Sequence, residues 1–439
     1  MGVFRNRIIK NGGIKLEIIT VSPGDTVYSI AGRYGLSAEK IISDNGLNSS
    51  GNLVVGQSLI LLFPQLVHLS ESGETVQDVA LQYGVSERDI FRNNYFLGGR
   101  RTLSAGELVV IEYESLPRSE RIIGGYAYEF ISDNLLRSVV SYMTYVMPFT
   151  YGFTEQGELI APRDERIIQT ALDYGASPLM HLSTLTKYGN FSNNLADAML
   201  SNPAAVENLQ QNILENIRLK GYLGLDVDFE YLFRRDRDLY SAFIASTTRL
   251  LNENGYICIV AVPPKVSDEQ QGQLYEGIDY AALGEAANYV FVMTYEWGYR
   301  FGPPMAVSPI NSVRRVMDYA VSVIPREKIL LGISNYGYNW TLPFVRGESD
   351  APSLSTVEAV NIALYYNATI EFDEAAQSPY FYYTDPSGRE HVVWFEDARS
   401  YEAKVRLIEE YNLAGGFIWD LMRENPQGYV TLNAMIEAV

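Results

Sequence analysis

The sequence predicts an α/β protein in which a (β/α)8 barrel with a small α+β insertion follows two small βααβ units. The chain has 439 residues, which is too long for one ordinary domain, and 47% of them are apolar. An internal repeat occupies the first quarter of the sequence, and short apolar strands alternate with helical stretches over the rest. The net charge of −19 argues against nucleic acid and anionic lipid as main partners.

The internal repeat defines two units, at residues 16–63 and 66–114. Its matching elements are Gly24-Asp25-Thr26 with Gly73-Glu74-Thr75, Tyr34-Gly35 with Tyr83-Gly84, Asn45 with Asn94, and Gly56-Gln57 with Gly106-Glu107. Each unit is predicted to form a strand, two helices and a closing strand, with Thr26 and Ser37 as helix caps in the first. The second copy is the more degenerate, so it is either a second working unit or a spacer.

The two units resemble LysM domains, which bind the N-acetylglucosamine-containing backbone of peptidoglycan and chitin. The resemblance rests on the Gly-Asp-Thr, Tyr-Gly and late Asn elements, followed by Gly-Gln. It implies that the first unit binds such a glycan, and it supports binding by the second unit less strongly.

The barrel is predicted over residues 118–439 from eight apolar strands separated by helical patterns such as Ala204–Lys220 and Asp236–Asn254. The predicted strands are Ile122–Phe130, Tyr145–Phe153, Pro178–Leu182, Gly224–Glu230, Tyr256–Val262, Tyr289–Tyr295, Ile329–Ser334 and Gly416–Asp420. Residues 341–395 break the alternation with one helix and a hairpin around Pro386-Ser387-Gly388. We therefore expect an α+β insertion between the seventh and eighth strands.

Three acids alternate along the fourth predicted strand. Because side chains in a strand alternate between faces, Asp226, Asp228 and Glu230 point to one face, and Val227 and Phe229 to the other. Burying acidic side chains inside a barrel costs free energy, so their presence there indicates a function. Glu230 lies nearest the C-terminal mouth, where barrel active sites lie. Crowded carboxylates raise the pKa of some members, which suits a general acid. A solvated acidic strand end and a divalent-cation site are the alternatives.

This motif resembles the D-G-x-D-x-D-x-E signature of glycoside hydrolase family 18, with Leu223 in place of the first Asp. The resemblance implies that Glu230 is the catalytic acid/base and that Asp228 orients and stabilises the substrate acetamido group. Asp226 would be the inner partner of Asp228. It further implies retaining hydrolysis in which the substrate acetamido oxygen attacks the anomeric carbon and forms an oxazolinium intermediate.

Two further strand ends resemble the same family. Val292-Met293-Thr294-Tyr295-Glu296 resembles its Met-x-Tyr-Asp element, which implies that Tyr295 hydrogen-bonds the acetamido oxygen and that Glu296 replaces an Asp. Gly415–Asp420 resembles its eighth strand, which implies that Trp419 forms the floor under the reacting sugar. Core packing is the alternative for Trp419.

Four aromatic residues, Tyr126, Tyr128, Trp297 and Tyr338, are further candidates for contact with sugar rings. With 32 tyrosines in the chain, residue type alone discriminates poorly among such candidates.

The whole arrangement resembles the spore cortical-fragment-lytic enzymes of endospore-forming bacteria. That resemblance implies an N-acetylglucosaminidase acting on peptidoglycan fragments and associated with the spore. The alternatives are a chitinase or chitooligosaccharidase, and a non-catalytic glycan-binding protein of the spore coat.

No cofactor or metal is expected, because the chain has a single cysteine, Cys258, and three histidines without metal-site spacing. Met1–Lys15 lacks the apolar stretch of an export signal, and no segment approaches the roughly 20 apolar residues of a membrane span. We therefore expect a monomer that is not inserted in a membrane.

Overall fold

A computed structural model describes residues 7–8, 13–116, 118–186 and 188–439. Most of the basic stretch Met1–Lys15, for which the sequence predicts no export signal, lies outside these residues. Among the residues described, no helix combines the length and the apolar character that a membrane crossing requires.

The centre of the molecule is a closed parallel barrel, as predicted. Its strands, here labelled in chain order, are β1 (Ser119–Tyr128), β2 (Tyr145–Phe149), β3 (Ser177–Pro178 and Met180–Ser183), β4 (Gly224–Asp228), β5 (Ile257–Val262), β6 (Tyr289–Val292), β7 (Ile329–Ser334) and β8 (Gly415–Trp419). Each strand pairs with the next, and β8 pairs in parallel with β1. The ring is therefore complete, and the carboxyl ends of all eight strands meet at one mouth.

Helices surround the barrel at Asp133–Val139, Glu165–Asp173, Asn193–Leu200, Pro203–Lys220, Arg237–Glu253, Tyr280–Ala286, Ile310–Val323, Ala398–Tyr411 and Pro426–Met435. The helix Pro203–Lys220 shows how the sequence sets such limits. The Asn202 side chain caps its N-terminus, proline occupies the first turn, and Gly221 ends it in the left-handed conformation.

The two faces of the barrel strands pack into two different apolar clusters. Leu225, Val227 and Phe229 belong to the large cluster between strands and helices. Phe291 and Phe417 belong to a second cluster inside the barrel. The predicted alternation along β4 is therefore confirmed, because the acids share the inner face.

The two N-terminal units have the same order of elements. The first contains Leu16–Thr20, Val27–Tyr34, Ala38–Asp44 and Ser58–Leu62, and the second contains Pro64–Leu69, Val76–Tyr83, Glu87–Asn93 and Leu108–Tyr113. Thr26 and Ser37 cap the helices of the first unit, as predicted. The repeated asparagines have a structural role: Asn45 bonds to Ile41 and Ile60, and thereby ties the second helix to the closing strand.

The insertion contains strands Gly337–Thr341, Ser353–Leu354, Glu371–Asp373, Ser378–Thr384 and Glu390–Trp394, and the helix Thr356–Tyr365. It begins at Gly337 rather than at residue 341, because the chain enters an antiparallel pairing with Ser353–Leu354 soon after β7 ends. The predicted hairpin is present, with Tyr383 paired to His391.

Candidate active site

Glu230 lies in the loop immediately after β4, at the mouth of the barrel. The prediction that the strand continues to Glu230 is wrong, because β4 ends at Asp228. Tyr231 then adopts a positive φ of 56°, which turns the chain away from the strand direction. This short extension places Glu230 beyond the last ladder residue of β4, at the carboxyl end of the barrel.

Asp226 and Asp228 lie below Glu230 and face the interior of the barrel. The Tyr126 hydroxyl donates to Asp226 Oδ2 at 2.8 Å. The imidazole Nε2 of His181 lies 3.8 Å from Asp226 Oδ2 and 3.7 Å from Asp228 Oδ2. His181 Nδ1 lies 2.6 Å from Thr150 Oγ1, which fixes the ring between the two acids.

His181 was not predicted from the sequence as a site residue. The available signal for it was the presence of a polar residue within the predicted apolar strand Pro178–Leu182. Its contact with two acids from a neighbouring strand depends on the parallel register that pairs His181 with Asp226.

Several polar atoms of this group are buried without a hydrogen-bond partner among the described residues. They are His181 Nε2, Asp226 Oδ1 and Asp228 Oδ1. Burial raises the pKa of Asp226 to about 6, with the Asp228 charge acting in the same direction and His181 and Tyr126 opposing it. No group of three or more His, Cys, Asp or Glu side chains in the described part of the chain is arranged to hold a metal ion.

The surroundings of Glu230 favour its protonated form. Burial raises its pKa to about 8, and the negative charges of Asp228 and Glu296 add to the shift. A carboxylic acid with this pKa can donate a proton to a leaving oxygen near pH 7 and can later accept one. Glu230 is therefore suited to general acid/base chemistry.

Tyr295 and Glu296 follow β6, which ends at Val292 and not at Tyr295 as predicted. Burial and the surrounding carboxylates raise the pKa of the Tyr295 hydroxyl well above its usual value, so it remains a hydrogen-bond donor. Glu296 accepts from the Tyr336 hydroxyl and, at 2.9 Å, from the Tyr338 hydroxyl. Burial raises the pKa of Glu296, and these two hydrogen bonds oppose the shift. Tyr338 was predicted from the sequence as a site residue, and Tyr336 was not.

Trp419 ends β8 at the mouth of the barrel and is half-buried. Its ring centroid lies 5.3 Å from that of Tyr126 and 5.0 Å from that of Phe149. The indole is thus held beside the inner acids. Trp297 is also half-buried, but it packs against the large apolar cluster between the strands and the helices.

Two protein-family models match the chain. The model for glycosyl hydrolases family 18 matches residues 184–424, and the LysM domain model matches residues 19–61. The prediction of two LysM domains is therefore supported for the first unit only. The second unit has the same fold order but a more degenerate motif, with Gly-Glu-Thr in place of Gly-Asp-Thr.

The chain is 35% identical to the cortical fragment-lytic enzyme of Bacillus subtilis (strain 168), over 97% of this chain and 99% of that enzyme. Its structure resembles that of the spore cortex-lytic enzyme SleL of Bacillus megaterium QM B1551, with a TM-score of 0.82 and 34% identity, covering 98% and 99% of the two chains. A chitinase of Chromobacterium violaceum ATCC 12472 gives a TM-score of 0.67 and 27% identity, covering 72% of this chain and 99% of the chitinase. The chain therefore belongs to family 18 of the glycosyl hydrolases.

Proposed function

We propose that the chain is a retaining N-acetylglucosaminidase that hydrolyses fragments of spore-cortex peptidoglycan. The observation that carries the proposal is the position of Glu230 at the barrel mouth, two residues after Asp228, with burial and nearby carboxylates raising its pKa. The similarity to the cortical fragment-lytic enzyme of Bacillus subtilis over nearly the whole length of both chains supports the choice of substrate.

In the proposed mechanism, Glu230 donates its proton to the glycosidic oxygen while the acetamido oxygen of the same sugar attacks the anomeric carbon. The glycosidic C–O bond breaks and an oxazolinium ion forms, so no protein carboxylate is needed as nucleophile. Asp228 orients the acetamido group and stabilises its positive charge, and Tyr295 donates a hydrogen bond to its oxygen. Water then opens the ring, and Glu230 accepts the proton of that water.

The remaining site residues are proposed to hold the sugar and the acids in place. Asp226 shares the inner charge with Asp228. Trp419 presents an apolar ring to the sugar, with Tyr126 behind it. Glu296, Tyr338 and Trp297 are the proposed contacts for neighbouring sugar units.

The N-terminal units are proposed to retain the enzyme on its polymer. The first unit is the stronger candidate for binding N-acetylglucosamine-containing glycan, because the LysM model matches it, and the second is the weaker. A monomeric, spore-associated enzyme is consistent with these assignments.

The substitution Glu230→Gln tests the proposal. It removes the transferable proton at nearly constant shape, so we expect hydrolysis of cortex fragments to fall by about 10²–10⁴-fold. Release of reducing ends measures turnover, and co-sedimentation with insoluble peptidoglycan measures binding, which should persist. Glu253→Gln, at the exposed end of the helix Arg237–Glu253, is the matched control and should retain activity. Retained turnover in Glu230→Gln would refute the proposed mechanism.

A chitinase or chitooligosaccharidase is the second candidate, and the similarity to the Chromobacterium violaceum chitinase favours it. Turnover of cortex fragments and of N-acetylglucosamine oligomers should be compared under one set of conditions, with products identified by mass spectrometry. Faster turnover of cortex fragments supports the first candidate, and faster turnover of the oligomers supports the second.

A further inference from the structure

The insertion contains a pocket of about 460 Å³ that none of the proposed catalytic residues lines. Its lining includes Asn339, Ser353, Glu358, Asn361, Tyr365 and Tyr366. Asn339 follows Tyr338 in the strand Gly337–Thr341, and neighbouring side chains of a strand point to opposite faces. Because Tyr338 bonds to Glu296 at the candidate active site, the pocket lies on the other side of this strand.

The aromatic wall of the pocket is held by a row of stacked rings. Tyr366 stacks on Tyr383 with centroids 4.3 Å apart, and Tyr383 stacks on His391 with centroids 4.6 Å apart. Tyr365 meets Tyr366 nearly at a right angle and is 78% exposed. One ring of the wall is thus fixed by packing, and a second offers its surface to a ligand.

The polar wall is rich in hydrogen-bond acceptors. Glu358, Asn361 and Tyr365 recur at helical spacing on one face of the helix Thr356–Tyr365. Asn339 donates from Nδ2 to the Tyr383 hydroxyl at 2.8 Å, while its Oδ1 is buried without a partner among the described residues. Glu358 is the ionisable acid of the lining, and neither Lys nor Arg contributes to it.

We propose that this pocket is a second binding site for a neutral saccharide unit of the glycan polymer. The exposed Tyr365 ring suits the C–H face of a sugar, and the Glu358 and Asn361 side chains offer acceptors for its hydroxyl and amide N–H donors. Glu358 and the net charge of −19 disfavour an anionic ligand. The volume is sufficient for a small ligand. The inference rests on the proposed function only for the identity of the polymer.

Hydrogen–deuterium exchange of the full chain carrying Glu230→Gln tests this site with the N-acetylglucosamine tetramer as the probe. We expect exchange in residues 353–366 to slow by about threefold or more on saturation. Adding Tyr365→Ala should weaken the apparent affinity at this segment by about threefold to tenfold. Protection of the loops after β4 and β6 should remain. An unprotected segment, or an unchanged apparent affinity at this segment when Tyr365→Ala is titrated with the tetramer, would overturn the proposal.

Two further variants separate stacking from general effects. Tyr365→Phe retains the ring and should bind like the parent, whereas Leu219→Ala removes a side chain that is 83% exposed on a different helix and should also bind like the parent. With Glu230 restored, Tyr365→Ala should hydrolyse the soluble tetramer at the parent rate. A fall in that rate matching the loss of affinity would show that the pocket is part of the active site. Turnover by Glu230→Gln would refute the proposed mechanism but not the pocket, because hydrogen exchange tests ligand binding in the pocket independently of catalysis.

Discussion

At the scale of single residues, the proton on Glu230 depends on its neighbours as well as on burial. The negative charges of Asp228 and Glu296 both raise its pKa, which reaches about 8. Since the protonated form is the proposed acid, kcat/KM should fall as pH rises through this value. Glu296→Gln removes one of the two charges, so the alkaline limb should move to lower pH.

Steady-state pH profiles on a soluble oligosaccharide measure the position of this limb. Glu285→Gln, an exposed residue of the helix Tyr280–Ala286, serves as the matched control and should leave the limb in place. An unchanged limb in Glu296→Gln would mean that its charge does not reach Glu230.

His181 offers a second test at the residue scale. Burial raises the pKa of Asp226, the interaction with His181 lowers it, and Asp228 raises it. His181→Gln removes the opposing interaction and retains a hydrogen-bonding group beside Thr150, so the pKa of Asp226 should rise further above 6. The acid limb of the kcat/KM profile should then move to higher pH. His68→Gln, in the strand Pro64–Leu69 of the second N-terminal unit, is the control. Equal profiles for both variants would exclude a positioning role for His181.

At the scale of elements, the sequence predicted the barrel well because its signals are local. Apolar runs bounded by turns identified the strands, and β7 has the predicted limits Ile329–Ser334. Strand ends were less predictable. The extended backbone ends near Glu230 because Tyr231 has a positive φ, and the sequence gives no sign of this because the residue is not a glycine. Tyr336 and His181 were missed because their contacts join residues distant in sequence.

A turn of the first N-terminal unit provides a test of how that unit docks. Gly56 has φ of +85°, and a Cβ built on it would lie 1.8 Å from the carbonyl oxygen of Ile370 in the insertion. Gly106 occupies the matching turn of the second unit with φ of +84°, and nothing lies within 4 Å of its Cβ position. Alanine at either position should cost about 1–2 kcal/mol for the left-handed backbone. Only Gly56→Ala should add about 1–3 kcal/mol for the clash.

Urea unfolding of both variants measures this difference. The backbone conformations match, so the excess loss in Gly56→Ala reports contact with the insertion. Hydrogen exchange in residues 368–372 should rise in Gly56→Ala and not in Gly106→Ala. Equal losses of stability would show that the docked turn adjusts without cost.

At the scale of the whole molecule, the two small units and the barrel share one apolar core. Leu16 and Leu62 of the first unit and Tyr113 of the second pack in a cluster with Ala398 and Val430 of the barrel. Polar contacts seal this junction: Gln427 Nε2 donates to Asn45 Oδ1 at 2.9 Å and to Ser58 O at 2.8 Å. The glycan-binding unit is therefore held against the catalytic domain by packing as well as by chain connectivity.

Arg92 is a buried polar link between the second unit and the barrel, and its replacement tests whether the molecule unfolds as one body. Its buried guanidinium donates to Ser141 O and Ala438 O, both at 2.7 Å, and to Glu437 Oε1 at 3.1 Å. Arg92→Met keeps the apolar stem but removes these donors, and Ala438 O loses the Arg92 hydrogen bond. Arg88 still donates to Ser141 O at 3.0 Å and Arg118 still pairs with Glu437, so we expect a loss of about 1–3 kcal/mol in the free energy of unfolding. Arg33→Met breaks the exposed pair with Asp25 inside the first unit and should cost about 1 kcal/mol or less. Calorimetry distinguishes the outcomes. If Arg92→Met alone lowers the unfolding temperature or splits the unfolding transition in two, the second unit and the barrel unfold cooperatively in the parent. If both variants lose equally little stability, the units unfold independently of the barrel.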